Sequence, residues 1–568
     1  ADLDRVNKQL GEADSKRWGL RASVSGLRDH LAGPFRAPFL VLAVAAALVL
    51  AVACGNLSNL LLVRAQQRAK EMSVRSALGA TRRRLVVQLL TESLILATAG
   101  GTLGVGLAFW ITTWVSGTTA VSIPMLRAVS VDAAALGFTL VATLATGLVV
   151  GIAPALQLSQ GREWTTMNEA SRGSSGGRRS NVVRETLVVG EVALAFVLLV
   201  GGALLLRSFL GLLDVNLGFR PDGATMWQLD AGRSFPNDTA QIAYFDNLAN
   251  RVRDVPGVDA VGLTDTPPLG RNRSWGIQAK GVVYEKGEEV PTVFPRLVDA
   301  GYLRAMKVPL IAGREFTAND RDGSDLVAIL NQTAAAKLFP GKDAVGQVVL
   351  LFGNNEFRVV GVVSDVRHQA LEKDSGLEVY LAYTQVPDFG TLAMVVRSRV
   401  PATALVSRVQ SALRAVDPML PVADYQRLDS VVERSVSPRR FILMVLGAFA
   451  GTALLLAALG IYAVLSYSVS QRVREIGIRM ALGESAASVR QRVVARTLLL
   501  AGAGVVIGAV VSLGAARLIR SLLYGVGPSD VLSFAGTAMV LVVVSALAGF
   551  LPALRASKTD PMVALRSG

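Results

Sequence analysis

Two short segments of the sequence pair opposite charges at helical spacing. In Arg68–Ala80 (RAKEMSVRSALGA), Glu71 and Arg75 lie four residues apart; in Arg472–Glu484 (RVREIGIRMALGE), Glu475 and Arg479 repeat that spacing. On a helix, an acid four residues ahead of a base shares its face and pairs with it. Arg68 and Arg472 open the two segments, and Gly79 and Gly483 follow where a glycine can end a helix with positive φ. This is the chemistry of a charged docking surface. Catalytic chemistry has little to work with elsewhere. The chain has two histidines, His30 and His368, and one cysteine, Cys54. A histidine-rich metal site and a Cys–His nucleophile pair are therefore not expected, and no disulfide can close within the chain. The acids are scattered, with no Ser/His arrangement beside them.

These segments need a scaffold, and composition says which. Of 568 residues, 51% are hydrophobic and 18% charged, and the net charge is +15. Soluble domains carry about 25% charged residues. Seven runs are long and apolar enough to cross a bilayer as helices: Pro38–Leu62, Leu85–Val115, Ala133–Leu156, Leu187–Leu206, Phe441–Ser466, Val493–Leu523 and Val531–Leu554. Basic residues collect in alternate loops. Arg64, Arg68, Lys70, Arg75 and Arg82–Arg84 follow the first run, Arg162–Arg184 the third and Arg472–Arg492 the fifth, and Arg555, Lys558 and Arg566 close the chain. The positive-inside rule places all of these in the cytoplasm. Residues 214–437 then lie outside. They hold 24 Lys and Arg against 27 Asp and Glu, a net of −3, which leaves +18 on the membrane portion. The basic excess is thus a membrane-edge signal, and nucleic acid is not an expected partner.

The outside segment is long enough for its own core. Asp325–Asn331 and Phe357–Ser364 read as strands, and Ala240–Arg253 and Ala402–Val416 as amphipathic helices, so an α/β or α+β domain is expected. Asn237, Asn272 and Asn331 fall in glycosylation-like triplets, which arise often by chance. Gly341-Lys342 has Asp343 where a phosphate loop needs Ser or Thr, and the upstream glycine is missing. Glu92 and Glu191 fall inside or near apolar runs, within a turn or two of the cytoplasmic edge, where snorkelling or a local ion pair is the expected arrangement. Arg207 marks the opposite edge.

The chain also repeats itself. Arg68, Glu71, Arg75, Ala77, Leu78 and Gly79 recur at an offset of 404 as Arg472, Glu475, Arg479, Ala481, Leu482 and Gly483, and GIAPALQLS (Gly151–Ser159) recurs as GFLPALRAS (Gly549–Ser557). Each copy has three membrane helices, and the second is led by one more helix and the outside domain. GLRASVSGLRDHLAGP, ending at Pro34, resembles Leu420–Pro438. Residues 1–33 are therefore expected to be the tail of an earlier outside domain, and the sequence to be a fragment of a longer duplicated protein. The remaining expected divisions are 34–160 (first membrane domain), 161–186 (cytoplasmic linker), 187–213 (leading helix), 214–437 (outside domain) and 438–568 (second membrane domain).

One helix, a large outside domain and then three helices resembles the plan of MacB/FtsX-type ABC-transporter permeases. RVREIGIRMALGES and RAKEMSVRSALGAT look like that family's cytoplasmic segment. GREFTANDRDG, VAILNQTAAAKLFPGKDAVGQ and FRVVGVVSDVR look like its MacB periplasmic core domain, and LVVGEVALAFVLLVGGALLLRSF like its first helix. Two such units in one chain resemble the duplicated "orphan" permeases called ADOP. LSQGR (Leu158–Arg162) has the look of a transporter-ATPase signature but directly follows a membrane helix, and is read as coincidence.

The resemblance implies a polytopic α-helical membrane protein with duplicated FtsX-like three-helix units and an α/β MacB-like periplasmic core domain, set in a bacterial inner membrane. It implies a non-catalytic permease with no cofactor of its own, ATP and Mg being held by a partner ABC-type ATPase. A periplasmic adaptor or cargo would complete the assembly, and the four-helix units would pair within one full chain or as a homodimer. Arg68, Glu71, Arg75, Gly79, Arg472, Glu475, Arg479 and Gly483 would be the ATPase-coupling residues. ATP-driven motion would pass through the helices to the outside domains for export or extraction of a substrate. The alternative is a non-transporting regulator or scaffold acting on a cell-envelope enzyme.

Overall fold

The computed structural model describes residues 27–68, 71, 74–75, 81–117, 131–159, 176–232, 234–270, 272–282, 290–353, 355–421, 425–471, 473–482 and 484–557. The chain divides into two compact units. One joins Ala1–Leu210 to Arg439–Gly568, and the other is Gly211–Pro438.

The first unit is built from long helices: α1 (Leu27–Gln67), α2 (Arg82–Gly117), α3 (Ala133–Ser159) and α4 (Gly176–Leu213). Seven helices of the described chain are long and apolar enough to cross a membrane. This is a multi-pass membrane protein, as the apolar runs led us to expect. Glycine and small hydroxyl residues set the close contacts. Ser93 Oγ of α2 donates to Gly147 O of α3 at 2.9 Å, and a Cβ on Gly151 would come within 2.5 Å of that same oxygen. Such contacts let helix backbones approach without a large side chain between them.

The second unit is a mixed α/β domain. It adds β1 (Ala224–Leu229), α5 (Asp238–Arg253), β2 (Val258–Thr264), β3 (Trp275–Gly276), β4 (Gln278–Ala279), β5 (Thr292–Val298), α6 (Tyr302–Met306) and β6 (Leu310–Gly313). There follow β7 (Val327–Asn331), α7 (Gln332–Leu338), β8 (Val348–Leu351), β9 (Asn355–Val363), β10 (Glu378–Ala382), β11 (Leu392–Ser398), α8 (Ala402–Val416) and β12 (Tyr425–Arg427). The strands form one sheet in the order β12-β1-β11-β2-β5-β10-β7-β9-β8-β4, with β3 on β5 and β6 on β9. β5–β10 and β7–β9 run parallel, and the other pairs are antiparallel.

Alternation along the central strands feeds two cores, because successive side chains leave opposite faces. Ala328 and Leu330 of β7, with Val379 and Leu381 of β10, join Phe245, Leu248 and Val252 of α5 and Leu405, Val409 and Leu413 of α8. Val327, Ile329, Tyr380 and Ala382 face the other way, against Tyr302, Leu303 and Met306 of α6 and against Leu428. With both faces covered, β7 reads as an unbroken apolar run. Two of the glycosylation-like asparagines are helix caps. Asn237 Oδ1 accepts from Ala240 N at 2.8 Å, and Asn331 Oδ1 from Ala334 N at 3.0 Å; Asn331 is fully buried. Gly341 sits in a turn with φ 71°, not at the start of a phosphate-cradling helix.

The chain then completes the membrane unit with α9 (Leu428–Gln471), α10 (Val473–Ala481), α11 (Ala486–Leu518) and α12 (Val531–Ser557). Two helix limits differ from expectation. The fifth apolar run starts at Phe441, but α9 is continuous from Leu428 and carries Pro438 inside it. Its first turns are polar, so hydropathy does not register them. The sixth run was read to Leu523, but α11 ends at Leu518 and a 3-10 turn, Arg520–Leu522, follows. Here the chain exchanges helix bonds for local ones: Tyr524 N donates to Ser208 Oγ at 2.7 Å, and Arg207 pairs with Asp530.

Ser93 and Thr497 are 404 residues apart, and Thr497 Oγ1 lies 2.5 Å from where a Cβ on Gly549 would be. The α2–α3 contact of the first repeat is thus rebuilt between α11 and α12. The expected segment 1–33, up to residue 26, and most of the linker 161–186 lie outside the described residues.

Candidate cytoplasmic coupling site

The helix carrying Glu475 and Arg479 is short and two-faced. In α10, Gly477 is buried and Ile476 and Met480 are half-buried, while Glu475 and Arg479 are exposed. Glu475 Oε1 accepts from Arg479 Nη2 at 2.5 Å. Glu71 and Arg75 make the same bond at 2.5 Å, with both side chains again about half exposed. A pair this exposed stabilises a helix by only about 0.3–0.5 kcal/mol. Its use is to fix a polar, directional surface. Arg68 is also placed, whereas Gly79, Arg472 and Gly483 lie outside the described residues.

Continuing the 404-residue register reveals partners that motif matching missed. In the first repeat, Arg75 Nη1 donates to Gln88 Oε1 at 3.2 Å, and Arg68 Nη1 to Glu92 Oε1 at 3.2 Å. The counterparts of Gln88 and Glu92 are Arg492 and Arg496, so a neutral side chain becomes basic at the first position and the charge is inverted at the second. Arg492 pairs with Glu484 at 2.8 Å, and Arg496 with Glu185 of α4. Glu484, Arg492 and Arg496 join Glu475, Ile476 and Arg479 in lining a pocket of about 130 Å³. The second repeat therefore presents a pocket walled by two acid–base pairs, Glu475–Arg479 and Glu484–Arg492, and by Arg496, while the first ties its segment back onto α2. Ser485 caps α11 by accepting from Ser488 N at 3.2 Å, which sets the turn between α10 and α11.

Two buried polar groups lie deeper in this unit. Arg184 of α4 is 1% exposed; it donates to Leu62 O at 3.4 Å and stacks 4.3 Å above the Tyr467 ring. Glu92 has the local ion pair expected of it, but Glu191 does not. Glu191 is 2% exposed and accepts from Asn59 Nδ2 at 3.1 Å; its Oε2 has no hydrogen-bond partner among the described residues. It lies where α1, α4 and α9 converge. A Cβ on Gly55 would meet its Oε1 at 2.8 Å, and one on Gly460 its Oε2 at 2.1 Å. Asn56 of α1 also reaches Leu456 O of α9 at 2.7 Å. The snorkelling expectation fails because the carboxylate points into glycine gaps of neighbouring helices instead of along its own helix towards water.

The α/β domain has its own buried network. Arg296 Nη2 donates to Glu378 Oε1 at 3.4 Å, Tyr380 Oη donates to Glu378 Oε2 at 3.1 Å, and His368 Nε2 lies 3.4 Å from Tyr380 Oη. Burial raises Glu378 to about 7 against the opposing pull of Arg296, and burial holds His368 well below its ordinary range. Burial likewise lifts Asp299 to about 6. Arg296 is fully buried, and the group reads as a structural knot across β5 and β10. Among the described residues, no cluster of three or more His, Cys, Asp or Glu side chains could hold a metal ion.

Two family models match the chain. Residues 186–416 match the MacB-like periplasmic core domain model. Residues 43–161 and 447–561 each match the FtsX-like permease C-terminal model, and the two stretches begin at the 404-residue offset of the repeat. The chain is 33% identical over 269 residues to the macrolide export ATP-binding/permease protein MacB of Azoarcus sp., a match covering 46% of this chain and 40% of the relative. It is 26% identical over 270 residues to the pyoverdine export ATP-binding/permease protein PvdT of Pseudomonas aeruginosa, with the same two coverages. An uncharacterized ABC transporter permease of Bacillus subtilis, YknZ, is 24% identical over 351 residues, covering 59% of this chain and 81% of the relative. The match to the MacB and PvdT relatives thus spans less than half their length. The periplasmic region of MacB from Actinobacillus actinomycetemcomitans aligns with 39% of this chain and 96% of its own, at 17% identity and a TM-score of 0.27. By these matches the chain is a permease of the MacB/FtsX type, with one MacB-like periplasmic core domain set between two FtsX-like regions.

Proposed function

We propose that this chain works as the permease component of an ABC transporter, passing ATP-driven motion from a cytoplasmic ABC-type ATPase to its extracytoplasmic domain. The observation that carries the reading is the matched pair of Glu–Arg faces, one in each FtsX-like region, at the same bond length and exposure. A topology anchor needs only positive charge. It has no use for an acid four residues ahead of the base in both copies. The names of the MacB and PvdT relatives join ATP binding to a permease in one protein, whereas the family matches of this chain are to permease and periplasmic regions. We place ATP and Mg on an ABC-type ATPase that these permease and periplasmic regions would serve as a partner.

The inner membrane is the setting, and export or extraction of a substrate the outcome. The two FtsX-like regions in one chain support placement with the duplicated ADOP permeases. Charge reversal at both Arg75 and Arg479 tests the coupling. The ABC-type ATPase that co-purifies with the native chain should be lost from the doubly reversed variant. Unchanged association would overturn the reading. ATPase stimulation without any cargo movement would favour the regulatory alternative.

A further inference from the structure

The pocket between α9, α10 and α11 straddles the level at which apolar sequence gives way to charge. Its apolar lining includes Leu465, Val469, Val489 and Val493. Leu465 lies inside the fifth apolar run, which ends at Ser466, and Val493 opens the sixth. Arg492 directly precedes Val493 and lines the pocket together with Ser468, Glu475, Arg479, Glu484 and Arg496. An apolar wall that meets a charged rim at the cytoplasmic ends of membrane helices lies at the depth of lipid headgroups.

The charges of this rim cancel. Arg479 is held by Glu475 at 2.5 Å, Arg492 by Glu484 at 2.8 Å, and Arg496 by Glu185 of α4. A guanidinium has more N–H groups, and a carboxylate more lone pairs, than one such pairing uses. The side chains of Arg479, Arg492 and Arg496 are 46%, 59% and 39% exposed, so they remain open to a further partner. Interleaved acids and bases without net charge are a poor match for an anion. They match a zwitterion, whose phosphate takes guanidinium N–H groups and whose ammonium donates to carboxylates. The first repeat lacks the groups for this. At the 404-residue offset Glu484 becomes Ala80, Arg492 becomes Gln88 and Arg496 becomes Glu92, and Glu92 is engaged by Arg68 at 3.2 Å.

We propose that this pocket binds the headgroup of a zwitterionic aminophospholipid of the cytoplasmic leaflet, of which phosphatidylethanolamine is the simplest. Arg492 and Arg496 hold the phosphate, Glu475 and Glu484 accept from the ammonium, and the acyl chains follow the apolar lining into the membrane. A bound headgroup ties α10 to α11 beside the Glu475–Arg479 face. The effect of that tie on ATPase docking rests on the coupling reading; the lipid site itself does not.

The test uses the full chain, delipidated in detergent, with lipid binding titrated by native mass spectrometry. Phosphatidylethanolamine should bind at one site per chain. Phosphatidylcholine, whose quaternary ammonium donates no N–H bond, and phosphatidylglycerol, which has no ammonium, should bind at least tenfold more weakly. Arg492→Glu with Arg496→Glu should weaken phosphatidylethanolamine binding at least tenfold, and so should Ser468→Trp, which fills the pocket and keeps every charge. Arg83→Glu with Arg84→Glu makes the same charge change at exposed positions of α2 and should bind as the native chain does. The two pocket variants act by different means, so early melting of one leaves the other and the lipid ranking to decide. Equal binding of the three lipids, or equal loss in the Arg83 and Arg84 variant, would overturn the proposal. Equal affinity for free phosphoethanolamine would overturn the lipid as its source. No ATPase is present in this test. Failure of the native chain to select phosphatidylethanolamine leaves the Arg75 and Arg479 reversals to decide the coupling reading, and failure of those reversals leaves the lipid site standing.

Discussion

At the scale of single residues, polar side chains divide into those that face a partner and those that hold the molecule together. Glu378 belongs to the second kind. Burial holds it at about 7 against an ordinary 4.5, so the folded domain keeps the proton where the unfolded chain has released it. That contribution to stability is complete below about pH 4.5 and is lost as the pH rises through about 7, a change on the order of 3 kcal/mol. His368 acts in the opposite sense. Held neutral by burial, it contributes stability above its ordinary 6.5 that is lost as the pH falls. Glu378→Gln removes the first titration and leaves the second. The stability of the variant relative to the native chain should therefore rise with pH between about 4.5 and 7, measured by hydrogen exchange in β7 and β10 of the full chain in nanodiscs. A difference that stays flat across that window would contradict the assignment.

Glu191 gives a second residue-scale expectation. Its Oε1 accepts from Asn59 in a gap between helices, and its Oε2 has no hydrogen-bond partner among the described residues. Glu191→Gln keeps the shape and the acceptor for Asn59 while removing an ionisable group from the membrane helices. The variant should melt no lower than the native chain in detergent, whereas Glu191→Ala, which leaves Asn59 without its acceptor, should melt lower. Equal melting of all three would mean that the contact stabilises nothing.

At the scale of elements, glycine gaps decide which helices touch. Gly151 and Gly549 sit under Ser93 and Thr497 with the same 2.5 Å clearance, one contact in each repeat. Gly549→Val or Gly151→Val should each cost about 1–3 kcal/mol by overpacking, read as lowered thermal stability. Comparable losses are expected in the two repeats because the contacts are alike, and a loss confined to one would show that only one of the two contacts is tight. This scale also shows how legible the sequence was. Runs of apolar residues located all seven membrane helices, because hydropathy is a local property. They missed the polar first turns of α9, which are helical through packing of Leu428 in the α/β domain core. The strand character of Val327–Asn331 and Asn355–Val363 was visible in their β-branched content. The sheet order was not, since it depends on pairings such as β5 with β10 that join residues far apart in sequence.

At the scale of the whole molecule, the duplication organises what the residues and elements do separately. Repeated sequence identified Glu71, Arg75, Glu475 and Arg479, and the structure makes each pair a bonded, exposed surface. The same register carried past the motif exposes a charge difference that motif matching missed: neutral Gln88 and acidic Glu92 in one copy, basic Arg492 and Arg496 in the other. That difference is legible only once the helices are placed, because its meaning depends on Glu185, which comes from α4. If the proposed coupling holds, two surfaces related by a repeat but unlike in charge should contribute unequally to the binding of an ATPase. Arg492→Glu with Arg496→Glu should weaken association more than Gln88→Lys with Glu92→Lys, because the second-repeat pairs wall the open pocket.

The most direct measurement is association of the co-purifying ABC-type ATPase with the native chain, with Arg75→Glu, with Arg479→Glu and with both, in nanodiscs of one lipid composition. Both surfaces are exposed and contribute little to folding, so every variant should insert and melt as the native chain does. The account predicts that each single reversal weakens association at least tenfold and that the double reversal abolishes it. Native-like association of the double variant would contradict it.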